Sequence, residues 1–241
     1  AYDEVIAGED GYCPRYYLGD NGYYWLDQCA STKGSEFSGY GFYTAYDNEY
    51  RPAEDVYATG EIVSAAGTIR TADGYTLSLS GYVAQVYREH ATYPIDSFQS
   101  AVHGTFDWDG PSGEGTWLWS SIELDLGMYV QRHLENDGRY VYLDGGVAGL
   151  ESDFGAVVFD AVALISGSYG GPCEQEPYGV ISVRSPAGEW YDVLFDGPDP
   201  QTWEVDAEQC DGLGHVSFRG EQIGDVAVDF LDLYQFETSP W

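Results

Sequence analysis

A chain of 241 residues with 41 Asp and Glu against 9 Lys and Arg, net charge -32, repels polyanions. No two of its cations adjoin, so it lacks the clustered Lys and Arg that displace counterions from a nucleic-acid backbone, and nucleic acid is excluded as a partner. No apolar run approaches the ~20 residues of a spanning helix, which argues against membrane insertion, and anionic membrane surfaces are disfavoured by the same repulsion.

The hydrophobic fraction of 44% is ample for a core, so the acids are not those of a disordered tail. With 22 Tyr and 31 Gly, the composition is that of sheet faces and tight turns. The expected fold is all-β, an antiparallel β-sandwich or barrel built from hairpins, with a small disulfide-linked carboxyl-terminal β-subdomain. Three parts are expected: a Tyr/Gly-rich, disulfide-tied segment over 1–57, a main antiparallel sheet over 58–170, and the subdomain over 171–241.

The chain opens at Ala1 without Met, as expected once a signal peptide has been removed. Cys13, Cys29, Cys173 and Cys210 contain no C-x-x-C pair, which favours disulfides over zinc or redox chemistry. Three pairings are open, and the two local ones, Cys13 with Cys29 and Cys173 with Cys210, are favoured because each brackets a compact segment. An extracellular or cell-surface location follows. In the first segment, Tyr23-Tyr24-Trp25 and Gly39-Tyr40-Gly41-Phe42-Tyr43 suggest short strands, their tyrosines either packed or forming a recognition surface.

From Val56 the alternation is clear. Residues 68–71 and 75–80 form a hairpin across Asp73-Gly74. Next, Ile122, Leu124, Leu126, Met128 and Val130 fall on one face, with Glu123, Asp125, Tyr129 and Gln131 on the other. A turn at 135–138 returns the chain through Val141 and Leu143. Residues 153–165 fit helical spacing too, but their β-branched content favours a strand. Gly167 to Pro172 marks a boundary. Hairpins follow over 180–195 around Pro186-Ala187-Gly188, and from 216–218 to 226–230 through Gly220 to Asp225. No fixed-period repeat is present.

At residues 188–196 and 145–150 the chain resembles uncharacterised secreted proteins of myxobacteria and related bacteria. The resemblance runs diffusely from Gly104 to Trp241 and implies only a bacterial exported protein, with no activity attached.

Two constellations are candidates for chemistry. Glu123 and Asp125, at i and i+2, resemble the start of the E-x-D-x-x-E strand of laminarinase-like β-sandwich glycosidases, which need two carboxyls ~5 to 5.5 Å apart. Met128 stands where the third acid would be, and alternating acids also suit any solvated face. Asp107-Trp108-Asp109-Gly110 reads as a loop offering two hard oxygens to Ca²⁺, or as a plain turn. His90, His103, His133 and His215 are isolated and read as surface or capping residues.

These readings point to a non-enzymatic exported structural or self-assembling protein that requires no cofactor and admits Ca²⁺ at most. The partner is then another copy, through a strand-like Ala1–Ala7, or a surface glycan. A calcium-dependent carbohydrate-binding module is the second expectation, and a β-sandwich glycosidase the third.

Overall fold

The computed structural model describes residues 12–17, 22–109, 121–136, 138–149, 155–167, 173, 176–202 and 210–227. Among them there is no helix; every regular element is a strand. After β1 (Arg15–Tyr17), β2 (Gly22–Leu26) and the short β3 (Cys29–Ala30) come four long strands, β4 (Glu36–Arg51), β5 (Val56–Arg70), β6 (Thr76–His90) and β7 (Ile95–Asp109). Then follow β8 (Ser121–His133), β9 (Arg139–Ala148), β10 (Ala156–Ser166), β11 (Tyr178–Arg184), β12 (Trp190–Asp196), β13 (Leu213–Phe218) and β14 (Glu221–Ala227).

Apart from β3, which pairs with β4 beside β2, each strand bonds antiparallel to its neighbours in the chain, giving one 14-stranded sheet. The expectation of an all-β, hairpin-built antiparallel protein therefore holds, and among the described residues the ladder stays open, with β1 and β14 at its ends and not paired to each other. The ladder runs unbroken from β4 to β5 and from β10 to β11, across both boundaries read from the sequence.

Register sends the apolar side chains to one face. Phe98, Val130, Val141 and Leu164 form a single cross-strand row over β7 to β10 and, joined by Phe195, make one buried cluster. Trp25, Phe37, Tyr43, Val63, Ile69 and Leu79 make a second on β2 to β6, which the Cys13 side chain joins. Burying each such side chain contributes on the order of 1.5–3 kcal/mol.

The Tyr/Gly-rich part is not only short strands, since 16 residues of it form β4. Its glycines are the reason. Trp25 is 1% exposed, and a Cβ on Gly41 would come within 2.1 Å of its ring, so the residue opposite this indole has to be glycine.

The hairpins over 68–80, 121–148 and 178–196 form as read, and of residues 153–165 those from 156 onward lie in strand β10, while 153 and 154 lie outside the described residues. A bulge between Asp160 and Val162, with Ala161 at φ 51, puts Val157, Phe159, Val162 and Leu164 on one side. The three-residue step from 159 to 162 is what mimics a helical period. The last hairpin departs from the reading. Its turn is Arg219-Gly220, both at positive φ, so residues 221–225 are strand and not loop. Residues 228–230 lie outside the described residues.

Candidate functional site

The solvent face opposite the clusters carries an aromatic row. Phe42, Ser64, Tyr82, His103 and Asp125 are successive cross-strand partners over β4 to β8. The neighbouring row is Leu26, Tyr40, Ala66, Ser80 and Thr105. Tyr40, Phe42 and Tyr82 are 60%, 44% and 40% exposed, so aromatic walls flank a floor of small residues on β5 and β6. The Tyr82 and His103 rings lie 5.7 Å apart, and His103 Nδ1 stands 3.3 Å from Asp125 Oδ1.

Asp125 occupies the solvated face of β8, as the alternation predicts, and is exposed, while Glu123 pairs in register with Thr105 two residues before it. The Glu123 side chain lies outside the described residues, so the separation of the two carboxyls is not defined. Asp107 and Asp109 are on β7, with Asp107 facing Ser78 and Ser121 and Asp109 facing Thr76; the D-x-D stretch is a ladder and not the loop read from sequence. Their side chains, and Gly110, also lie outside the described residues. No group of three His, Cys, Asp or Glu side chains among the described residues is placed to hold a metal ion.

The cysteines pair locally, Cys13 with Cys29 and Cys173 with Cys210, at Cα separations of 5.8 and 5.3 Å. Both bonds fit an oxidising compartment such as the extracellular space. No helix of the described residues is long and apolar enough to cross a membrane.

His90 Nδ1 accepts hydrogen bonds from the amides of Thr92 and Tyr93, and His133 Nδ1 from that of Glu135, so both cap turns. His215 does more. Its Nδ1 is 2.8 Å from Asp225 Oδ1 on β14, and its Nε2 is 3.8 Å from Asp196 Oδ2 on β12. The bond to Asp225 raises the imidazole pKa and lowers that of Asp225.

Behind Asp196 lies Glu176, 3% exposed, whose Oε2 accepts the Gly212 amide at 2.8 Å. Burial, and then the Asp196 carboxyl beside it, push Glu176 above the usual carboxylate range. Elsewhere, buried Asp96 takes a two-pronged contact from Arg132 and the Tyr87 hydroxyl at 3.2 Å, and burial followed by this carboxylate pushes Tyr87 up to about 12. Sequence reasoning missed these groups. Only the Arg219-Gly220 turn, which sets His215 against Asp225, was a signal within reach.

The two ends of the sheet differ. β1 has three residues, whereas all seven residues of β14 are exposed, Ile223 and Val226 among them. A register shift between Val216 and Ser217 leaves Ile223 bulged, and Glu221 and Asp225 put charge on the same strand. Searches of protein-family models, curated proteins and solved structures found no match to the chain.

Proposed function

We propose that this is a non-enzymatic exported or cell-surface structural protein that associates with further copies through its sheet edge. The observation that carries the reading is the edge at β14, whose seven residues are all exposed and which among the described residues pairs with β13 alone. The acids and the bulge on β14 are devices that restrain promiscuous pairing, so association needs the charge of -32 to be screened by salt or by a divalent cation such as Ca²⁺. In this reading the amino-terminal stretch of one copy, Ala1–Ala7, adds as a strand to β14 of the next; that stretch lies outside the described residues.

Sedimentation and electron microscopy across salt and calcium concentrations test it. Oligomers or fibres that form with rising salt and vanish in an Ile223→Glu/Val226→Glu variant are expected. Monodisperse monomers under every condition sink the reading.

The exposed aromatic walls on β4 and β6 favour a second reading, a carbohydrate-binding face. Sugar rings stack on Phe42, Tyr40 and Tyr82 while Asp125 and His103 bond hydroxyls. On a glycan array, binding that disappears with Tyr82→Ala supports it, and silence with and without calcium removes it.

A further inference from the structure

At the corner where β11 leaves the Cys173–Cys210 disulfide, two carboxyls meet. Glu176 Oε1 and Asp196 Oδ1 are both buried, and neither has a hydrogen-bond partner among the described residues. The other oxygen of each is directed elsewhere, Glu176 Oε2 to the Gly212 amide and Asp196 Oδ2 towards His215 Nε2. Ionised carboxylates only accept hydrogen bonds, so two of them side by side leave both inner oxygens unsatisfied and repel. One proton removes both penalties, because a carboxylic acid donates to the neighbouring carboxylate.

We propose that Glu176 and Asp196 hold a single proton between Glu176 Oε1 and Asp196 Oδ1, and that this proton latches the last two strands to the body of the sheet. Glu176 belongs to the segment entering β11, Asp196 ends β12, and Gly212 leads into β13. The shared proton therefore ties three parts of the chain at one point, alongside the disulfide. Among the described residues, the charged groups that face the pair are Asp211 on the approach to β13, His215 on β13, and Asp225 on β14 behind His215. Asp211 adds negative charge and so favours keeping the proton, while His215, when charged, steadies the carboxylate that remains. Loss of the proton leaves a buried carboxylate at Glu176 against the half-buried one of Asp196, Glu176 turns outward, and the Gly212 amide loses its acceptor. The latch operates whether or not β14 takes a partner strand.

The sign follows from the burial of Glu176 and the like charge of Asp196 beside it. The closed corner binds the proton more tightly than the open one, so latching is complete at acid pH and is lost as pH rises through the raised titration of Glu176. The test is made in a Glu61→Gln background, because Glu61 is itself pushed up to about 7 and would contribute its own protonated-carboxyl signal. Infrared spectra around neutral pH should show one protonated carboxyl that disappears in alkali and is absent from both Glu176→Gln and Asp196→Asn.

Exchange of the Gly212 amide, corrected for intrinsic chemistry, should accelerate by up to about tenfold per pH unit between the ordinary carboxylate range and the raised titration, then level off. Glu176→Gln, whose amide donates to Asp196 while still accepting from Gly212, should stay protected in alkali, whereas Glu176→Ala should lose protection at every pH. A Glu61→Gln protein that keeps Glu176 and Asp196 yet shows no protonated carboxyl at neutral pH, with pH-independent protection at Gly212, overturns the proposal. So does calcium restoring that protection in alkali, since a cation would then fill the gap.

Discussion

Glu61 lies on the apolar side of β5, in register with Ala45 and Gln85, and is 8% exposed. Burial alone pushes its carboxyl up to about 7. The group is neutral in folded and unfolded chains at acid pH. As pH rises past the unfolded value the unfolded chain gives up its proton first, and the folded state pays until its own carboxyl ionises near neutrality. Stability linked to Glu61 is thus present below the ordinary Glu range and gone above about pH 7. Glu61→Gln should leave stability at acid pH almost unchanged and raise it in neutral and alkaline buffer by up to about 3 kcal/mol. Urea unfolding of both proteins across pH measures this, and parallel curves with no divergence would show that the carboxyl is not buried in solution.

Three hairpins close with the same device. In Ser31 to Ser35, Thr71 to Tyr75 and Ser185 to Glu189, the amide of the first residue donates to the carbonyl of the fifth at 2.8 Å. The fifth amide donates back to the first hydroxyl at 3.1 to 3.2 Å. The fourth residue is Gly34, Gly74 or Gly188, at φ 94, 92 and 87. A Cβ on Gly74 would meet nothing within 4 Å, so Gly74→Ala isolates the backbone cost of a left-handed residue. It should destabilise by about 1–2 kcal/mol, with Gly74→Asn milder, as a shift in the denaturant midpoint at constant slope.

This device explains what could be read from the sequence. The hairpins around Gly74 and Gly188 announced themselves because turn residue and strand alternation lie within one short window. β4 was hidden because Gly41 vacates its apolar face for Trp25, and β10 looked helical because its bulge breaks the period of two. The solvated face of Asp125 was legible from alternation alone. The meeting of Glu176 with Asp196 was not, since it exists only once the β11–β12 register sets Tyr178 opposite Asp196.

Among the described strands, the interior ones are held on both sides and the outermost on one. Protection of backbone amides should therefore fall from the row through Phe98, Val130 and Val141 outward to β14, where every residue is exposed. Native-state hydrogen exchange reads this gradient, and uniform protection from β7 to β14 would mean that the sheet opens only as a unit. The two disulfides lie towards opposite ends, Cys13–Cys29 beside β2 and β3 and Cys173–Cys210 before β11, where a ladder with fewer neighbours benefits most from a covalent tie.

Because almost every ladder joins strands adjacent in the chain, the sheet is one-dimensional in the manner of a repeat protein. Folding can spread hairpin by hairpin without waiting for distant segments to meet, which favours fast assembly for so large a β-structure. The same order makes width an adjustable property: a hairpin gained or lost at the β14 end changes the number of strands and moves the edge, while the connections of the strands behind it stay as they are.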